Sequence, residues 1–203
     1  MANKDWGTTF NDEKPVYVIL FTSRNKDNKH LEGFKERRES FLTNKSKEDL
    51  SERFKAFVND GVEGEMSRFY ISINSRNKER LYKKVLHFLI DNPTFNICSL
   101  PSKIAGLAAE HDCSDSKRWM FDFDMLNESL ANDFCSDIKE IDNSVETEIH
   151  RTPNGYAILC SHGFDIRKLD GAWNSMSITL KKDDLLCVAW KTKDSKVVNY
   201  DEG

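Results

Sequence analysis

The stretch KRWMFDFDM, Lys117 to Met125, decides how this chain is read. Trp119, Phe121, Phe123 and Met125 alternate with Arg118, Met120, Asp122 and Asp124. That period of two belongs to a strand with one face in an apolar core. The opposite face ends in two carboxylates. Alternate residues of a strand stand about 6.5–7 Å apart, so Asp122 and Asp124 feel each other's charge. A divalent cation between them would relieve the repulsion, as would lysines or arginines from a neighbouring strand.

Downstream, Leu126, Leu130, Phe134 and Ile138 recur every four residues, which predicts a helix packed on that strand. Its Glu128, Asp133, Asp137 and Glu140 read as a solvated face. Val145 to Ser161 reads as a hairpin around Thr152-Pro153-Asn154-Gly155. Pro153 presets the first central dihedral of the turn, and Asn154 and Gly155 tolerate positive φ. Phe164 to Trp173 is a short helix or loop, followed by strands over Ser175–Leu180 and Asp184–Trp190.

Upstream, Pro15 opens VYVILFT, Val16 to Thr22, a strand apolar enough to be buried on both faces. From His30 to Asp60 the reading is helical, on Phe34, Arg37, Arg38 and Phe41 and then Leu50, Phe54, Phe57 and Val58. Arg68–Asn74 is a second strand, and the helix that follows carries Leu81, Val85, Phe88 and Leu89 until Asn92-Pro93. Pro101–Glu110 is another helix. This order predicts an α+β fold: one mainly antiparallel sheet with helices packed on one face, built on a ferredoxin-like or RRM-like split β-α-β core. The domain spans 15–191, between a flexible N-terminus (1–14) and a flexible tail (192–203), with 23–66 as a helical insertion or arm.

Composition narrows the function classes. A chain of 203 residues supports one buried core, and 13 Phe with 4 Trp supply it from few positions. No apolar run approaches the roughly 20 residues of a membrane helix. MANKDWGTTF has no apolar leader, and five scattered cysteines without a CxxC pair read as reduced thiols of a cytoplasmic protein rather than a zinc site. The net charge of −4 argues against a broad duplex-binding surface but leaves room for a local basic groove. Lys35-Glu36-Arg37-Arg38 and Arg76–Lys84 are solvated helix faces or, with Tyr70 or Tyr82, a strip for single-stranded nucleic acid. Ser-Arg-Asn-Lys occurs at 23–26 and again at 75–78, each time after an apolar strand. Such a repeat reads either as chance and helix capping or as two places to hold phosphate.

The FDFD of 121–124 followed by the hairpin RTPNGYAIL resembles the archaeo-eukaryotic primase–polymerase superfamily. It also resembles short uncharacterised tailed-phage proteins that carry W-x-FDFD and TP-x-GY segments. The resemblance runs from about Arg118 to Arg167. It implies that Asp122 and Asp124 are catalytic and hold Mg²⁺ or Mn²⁺, and that Thr152, Asn154, Gly155 and Tyr156 lie where the second motif meets nucleotide phosphates. Where the family has a histidine two residues after the glycine, this chain has Ala157, with His150 or His162 as spatial substitutes. A third metal-binding carboxylate of the family corresponds to Asp183 or Asp184. Lys117, Arg118, Arg151 and Arg167 would add positive charge for phosphate. Phosphoryl transfer piles negative charge on phosphate oxygens, and a metal fixed by two carboxylates neutralises it.

The implied function is therefore a phage-type, primase–polymerase-like protein of the host cytoplasm. It would bind a nucleotide or single-stranded nucleic acid and serve phosphoryl or nucleotidyl transfer. The competing reading is a non-catalytic accessory or inhibitor that binds a host protein through an acidic, aromatic-rich surface. In that reading Asp122 and Asp124 mimic phosphates or are ordinary surface charge, paired with Arg151 across the sheet.

Overall fold

The computed structural model describes residues 14–169, 171–174 and 176–194. The chain order is β1 (Tyr17–Ser23), β2 (Arg37–Thr43), α1 (Ser51–Asn59), β3 (Met66–Ser72), α2 (Lys78–Asp91) and α3 (Leu100–Ala108). There follow β4 (Trp119–Phe123), α4 (Glu128–Ile141), β5 (Thr147–Arg151), β6 (Tyr156–Cys160), α5 (Gly171–Asn174), β7 (Ile178–Lys181) and β8 (Leu185–Thr192). The fold is α+β, and its strands form two antiparallel four-stranded sheets where the sequence suggested one. Among the described residues no helix is long and apolar enough to cross a membrane. The expected flexible ends, 1–14 and 192–203, lie outside the described residues except for Lys14 and 192–194, and Thr192 still belongs to β8.

The second sheet has the order β5-β6-β4-β7. Counted within this half of the chain, strand–helix–strand–strand–helix–strand gives the order 2-3-1-4, the ferredoxin-like split β-α-β arrangement. The reason is visible in β4. Phe121 and Phe123 point to the face covered by α4, where Phe134 meets both rings edge-on at 5.0 Å. Trp173 of α5 closes on Phe134 from the other side at 5.0 Å, and its indole donates to Asp137 at 2.6 Å. Asn127 caps α4 by accepting from the Leu130 amide at 3.2 Å, so the helix begins after Leu126. Leu126 is consequently 67% exposed, and the buried stripe is Ala131, Phe134, Cys135 and Ile138.

The opposite face of β4 is not simply solvated. Met120 is buried in a seam with Ala157 and Leu159 of β6 and with Ile73 and Leu186 from the first-sheet side. The 152–155 turn closes the hairpin through Thr152 N–H to the Gly155 carbonyl at 2.9 Å. Neither Asn154 nor Gly155 uses the positive φ that turn chemistry suggested. Glycine is needed at 155 for a different reason: a Cβ there would lie 1.8 Å from the Phe123 carbonyl oxygen.

The first sheet has the order β2-β1-β3-β8. On one face Phe21 touches Phe41, Phe54, Phe57 and Phe69 at ring separations of 4.9–5.8 Å, which buries α1 against the sheet. On the other face Val18 and Leu42 are covered by α2 and α3 through Leu81, Ala105, Leu107 and Ala108. The helical reading of 30–60 holds only over 51–59. Residues 37–43 instead pair with all of β1, from Tyr17↔Thr43 to Ser23↔Arg37. A strand buried on both faces must satisfy its backbone groups along both edges. That demand outweighs the three- and four-residue spacing of Phe34, Arg37, Arg38 and Phe41.

Candidate functional site

Asp122 follows Met120 on the face of β4 that looks toward the first sheet. Across the ladder it lies opposite Ala157 on one side and Thr179 on the other, while Met120 lies opposite Lys181. His150 of β5 is opposite Ala157, so His150, Ala157, Asp122 and Thr179 form one row across the sheet. Paired residues on neighbouring strands share a face, with Cβ atoms about 4.5–5.5 Å apart. Of the two histidines expected near Ala157, His150 therefore shares its row one strand over, where it stands 3.3 Å from Glu148.

The apolar seam ends at Met120, and beyond it the two sheets enclose a cleft of about 430 Å³. Asp122 and Lys181 line its second-sheet wall, and Asp184 enters from the connection between β7 and β8. Leu20, Thr22, Arg24, Glu36, Arg37, Arg38 and Tyr70 line the first-sheet wall. Strand parity explains five of them: 20, 22 and 24 share a face of β1 and its extension, where Arg24 keeps extended dihedrals of −108° and 147°, and Arg38 and Tyr70 lie opposite Thr22 and Leu20.

Asp122 is half-buried, and among the described residues nothing donates a hydrogen bond to its carboxylate. Burial pushes its pKa up, with Asp124 and Asp184 adding to the rise and Lys181 and Lys26 opposing it. Asp124 sits just past the strand end, exposed, with its backbone amide donating to the Ser177 carbonyl at 3.1 Å. Asp183 and Asp184 differ in their partners. Asp183 is locked in a buried pair with Arg76, both side chains 2% exposed, and also accepts from Asn74 at 3.1 Å. Asp184 lines the cleft, accepts from the Leu185 amide at 2.7 Å and stands 3.6 Å from Lys181.

The remaining residues singled out in the sequence are dispersed. Arg118 is on the cleft face of its strand but paired with Glu148 at 2.7 Å. Arg151 and Tyr156 lie on the helix-covered face, opposite Phe123 in register, with the guanidinium 5.2 Å from the Tyr156 ring centre. Arg151 also donates to the Gly155 carbonyl at 2.5 Å, which ties the turn rather than facing Asp122. Thr152, Asn154 and Gly155 form that turn against the backbone of Phe123 and Met125. Arg167 is held by Asp165 at 2.7 Å, outside the cleft. Of the Ser-Arg-Asn-Lys repeat, the second copy caps α2 through Asn77, whose side chain accepts from the Arg80 amide at 2.9 Å. The first copy opens only a short 3₁₀ turn, 25–27, and puts Arg24 in the cleft.

Among the described residues no three His, Cys, Asp or Glu side chains converge as a self-sufficient metal cage. The donor chemistry nonetheless suits a hard cation, because Mg²⁺ is commonly held by one or two carboxylates and completed by substrate phosphates and water. Asp122, with Asp124 or Asp184, would supply those carboxylates. The architecture defined here is an α+β protein with a ferredoxin-like half and an acid-and-base cleft where its two sheets part. No protein-family model, curated protein or solved structure matches the chain.

Proposed function

We propose that the cleft binds a phosphate-bearing ligand, a nucleotide or single-stranded nucleic acid, together with Mg²⁺ or Mn²⁺. The chemistry it serves is phosphoryl or nucleotidyl transfer of the primase–polymerase kind. One observation carries this reading: Asp122 is a half-buried carboxylate with no hydrogen-bond donor among the described residues, placed beside two more acids and across a cleft from arginines. Burial and the neighbouring acids disfavour the charged form of this carboxylate, and acids perturbed in this way cluster at functional sites. A divalent cation offsets the acids, and phosphate oxygens complete its shell. A phage-encoded origin and action in the host cytoplasm rest on the sequence resemblance alone.

The test is the melting temperature of the full chain with Mg²⁺ or Mn²⁺, alone and with a nucleoside triphosphate, for wild type and for Asp122→Ala/Asp124→Ala. A ligand at 100 times its Kd stabilises the native state by about 2.7 kcal/mol. A metal-dependent rise in wild type that the double variant loses supports the reading, and template-directed primer extension then tests turnover. A wild type indifferent to metal and nucleotide overturns it.

The accessory-protein reading draws on a different surface. Tyr82, Leu86 and Ile90 stand exposed at four-residue intervals along α2, and Ile97 follows at 66% exposure. Under that reading, Leu86→Asp abolishes partner association while Asp122→Asn leaves it intact.

A further inference from the structure

We infer that the first-sheet wall of the cleft, Arg24 and Arg38, is a polyphosphate subsite that seats the di- or triphosphate chain of the ligand opposite Asp122. This rests on the phosphate reading of the cleft and adds which wall carries the anion and what length of anion it takes.

The charge distribution is the starting point. The side facing the arginines carries Asp122 and, from the β7–β8 connection, Asp184 against Lys181, so by itself it repels an anion. On the first sheet, Asp27 is shared by two guanidinium groups: Arg24 Nε donates to it at 2.8 Å and Arg68 Nη2 at 2.5 Å. Arg24, Arg38 and Arg68 against Asp27 and Glu36 leave an excess of one positive charge on this side. Arg68 and Asp27 are buried, with side chains 6% and 8% exposed, so their part of this field is poorly screened. Arg68 Nε is a buried donor without a hydrogen-bond acceptor among the described residues, while Arg24 Nη2 stands 2.8 Å from Asp27 Oδ2. A buried guanidinium with unused donors favours an arriving anion.

Arg38 supplies the second point. It lies opposite Thr22 in the β1–β2 ladder, two residues from Arg24 on the same face. Diagonal neighbours of this kind sit about 7–8 Å apart. Arg38 is exposed and has no ionic partner among the described residues. Arg24 and Arg38, with Lys26 near enough to Asp122 to lower its pKa, give this wall more than one cationic contact for a chain of phosphates. Arginine's planar fork suits the non-bridging oxygens of successive phosphates. A metal held by Asp122 with Asp184 would neutralise the acidic side, so that opposite charges can line one cleft.

The probes are inorganic tripolyphosphate, orthophosphate and an oligothymidylate, titrated into the full chain by calorimetry in EDTA and in Mg²⁺. The chains compared are wild type, Arg38→Gln, Arg24→Gln, Asp122→Asn and Lys55→Gln, the last on the exposed side of α1. Arg38→Gln removes an exposed charge and no packing, so it isolates the subsite from folding; circular dichroism verifies Arg24→Gln. Tripolyphosphate is expected to bind at least tenfold tighter than orthophosphate. Arg38→Gln is expected to weaken it about ten- to a hundredfold in both buffers, with Lys55→Gln unchanged. Tripolyphosphate binding that Arg38→Gln leaves intact, or no binding at all, overturns the inference. So does an arginine-dependent oligothymidylate complex without tripolyphosphate binding, which would assign the wall to a phosphodiester backbone. Arginine-dependent binding that Mg²⁺ and Asp122→Asn do not affect keeps the subsite and sinks the metal reading. A Mg²⁺ response that needs Asp122 without any tripolyphosphate binding does the reverse.

Discussion

Replacing Asp122 with Asn should make the unliganded protein more stable at neutral pH, which is unusual for a half-buried residue of a central strand. Alternate residues on a strand are about 6.5–7 Å apart. At that distance two carboxylates repel by about 2.4 kcal/mol at an effective dielectric of 20 and by about 0.6 kcal/mol in bulk water. Asp124 is exposed, which puts the pair nearer the lower figure, and partial burial of Asp122 adds to it. About 1 kcal/mol of relief corresponds to a rise of about 2–4 °C in Tm for a chain of this size. The pH dependence fixes the sign. The native pKa of Asp122 is raised, so the native state holds this proton more tightly than the unfolded chain does. Its contribution favours folding below the unfolded carboxylate range, near pH 4, and is lost as pH rises through the native pKa. The advantage of Asn should therefore be full at pH 7 and fade toward pH 3. Thermal denaturation of both proteins at the two pH values, with EDTA present, measures it. A variant less stable than wild type at pH 7, or an advantage that grows on acidification, refutes the view of Asp122 as an uncompensated acid.

The other predictions separate scaffold from site. Asp183→Ala leaves Arg76 buried without its partner and should cost about 3–5 kcal/mol in urea denaturation. Asp184→Ala should change stability by less than about 1 kcal/mol, because its Lys181 contact is solvent-exposed, while weakening the Mg²⁺ response. Gly155→Ala drives a Cβ into the Phe123 carbonyl and should cost more than about 3 kcal/mol, read from the same denaturation curves. Of the five thiols, Cys98 alone is exposed, and burial holds Cys113, Cys135, Cys160 and Cys187 above their ordinary pKa. One equivalent of Ellman's reagent should therefore react with the native protein and five with the denatured one.

Local pattern carried much of this structure. The alternation in 119–123, the four-residue stripe of 130–138 and the turn residues of 152–155 are short-range signals. Each defined an element without reference to the rest of the chain, and together they specified the ferredoxin-like half. The acids at 122 and 124 were legible for the same reason, since strand parity puts both on one face. The helical stripe of 81–89 also survived, because α2 packs only one side on its neighbours.

The other wall of the site was not legible as a wall. Arg38 and Tyr70 stood out as a basic residue and an aromatic one, but their helical and strand contexts differed on paper, and Arg24 was part of a polar connection. Only the pairing of residues 37–43 with β1, an agreement between segments some twenty residues apart, turns Arg24, Arg38 and Tyr70 toward one face. The amino-acid sequence determined most of the strands and helices, β2 excepted, and which side of β4 bears charge, because those depend on periodicities of two and about four residues. The tertiary structure alone decided that there are two sheets, that Asp184 rather than Asp183 faces the cleft, and that arginines confront Asp122. Those outcomes depend on which buried backbone edges find partners and where an apolar seam runs out, and no local periodicity encodes either.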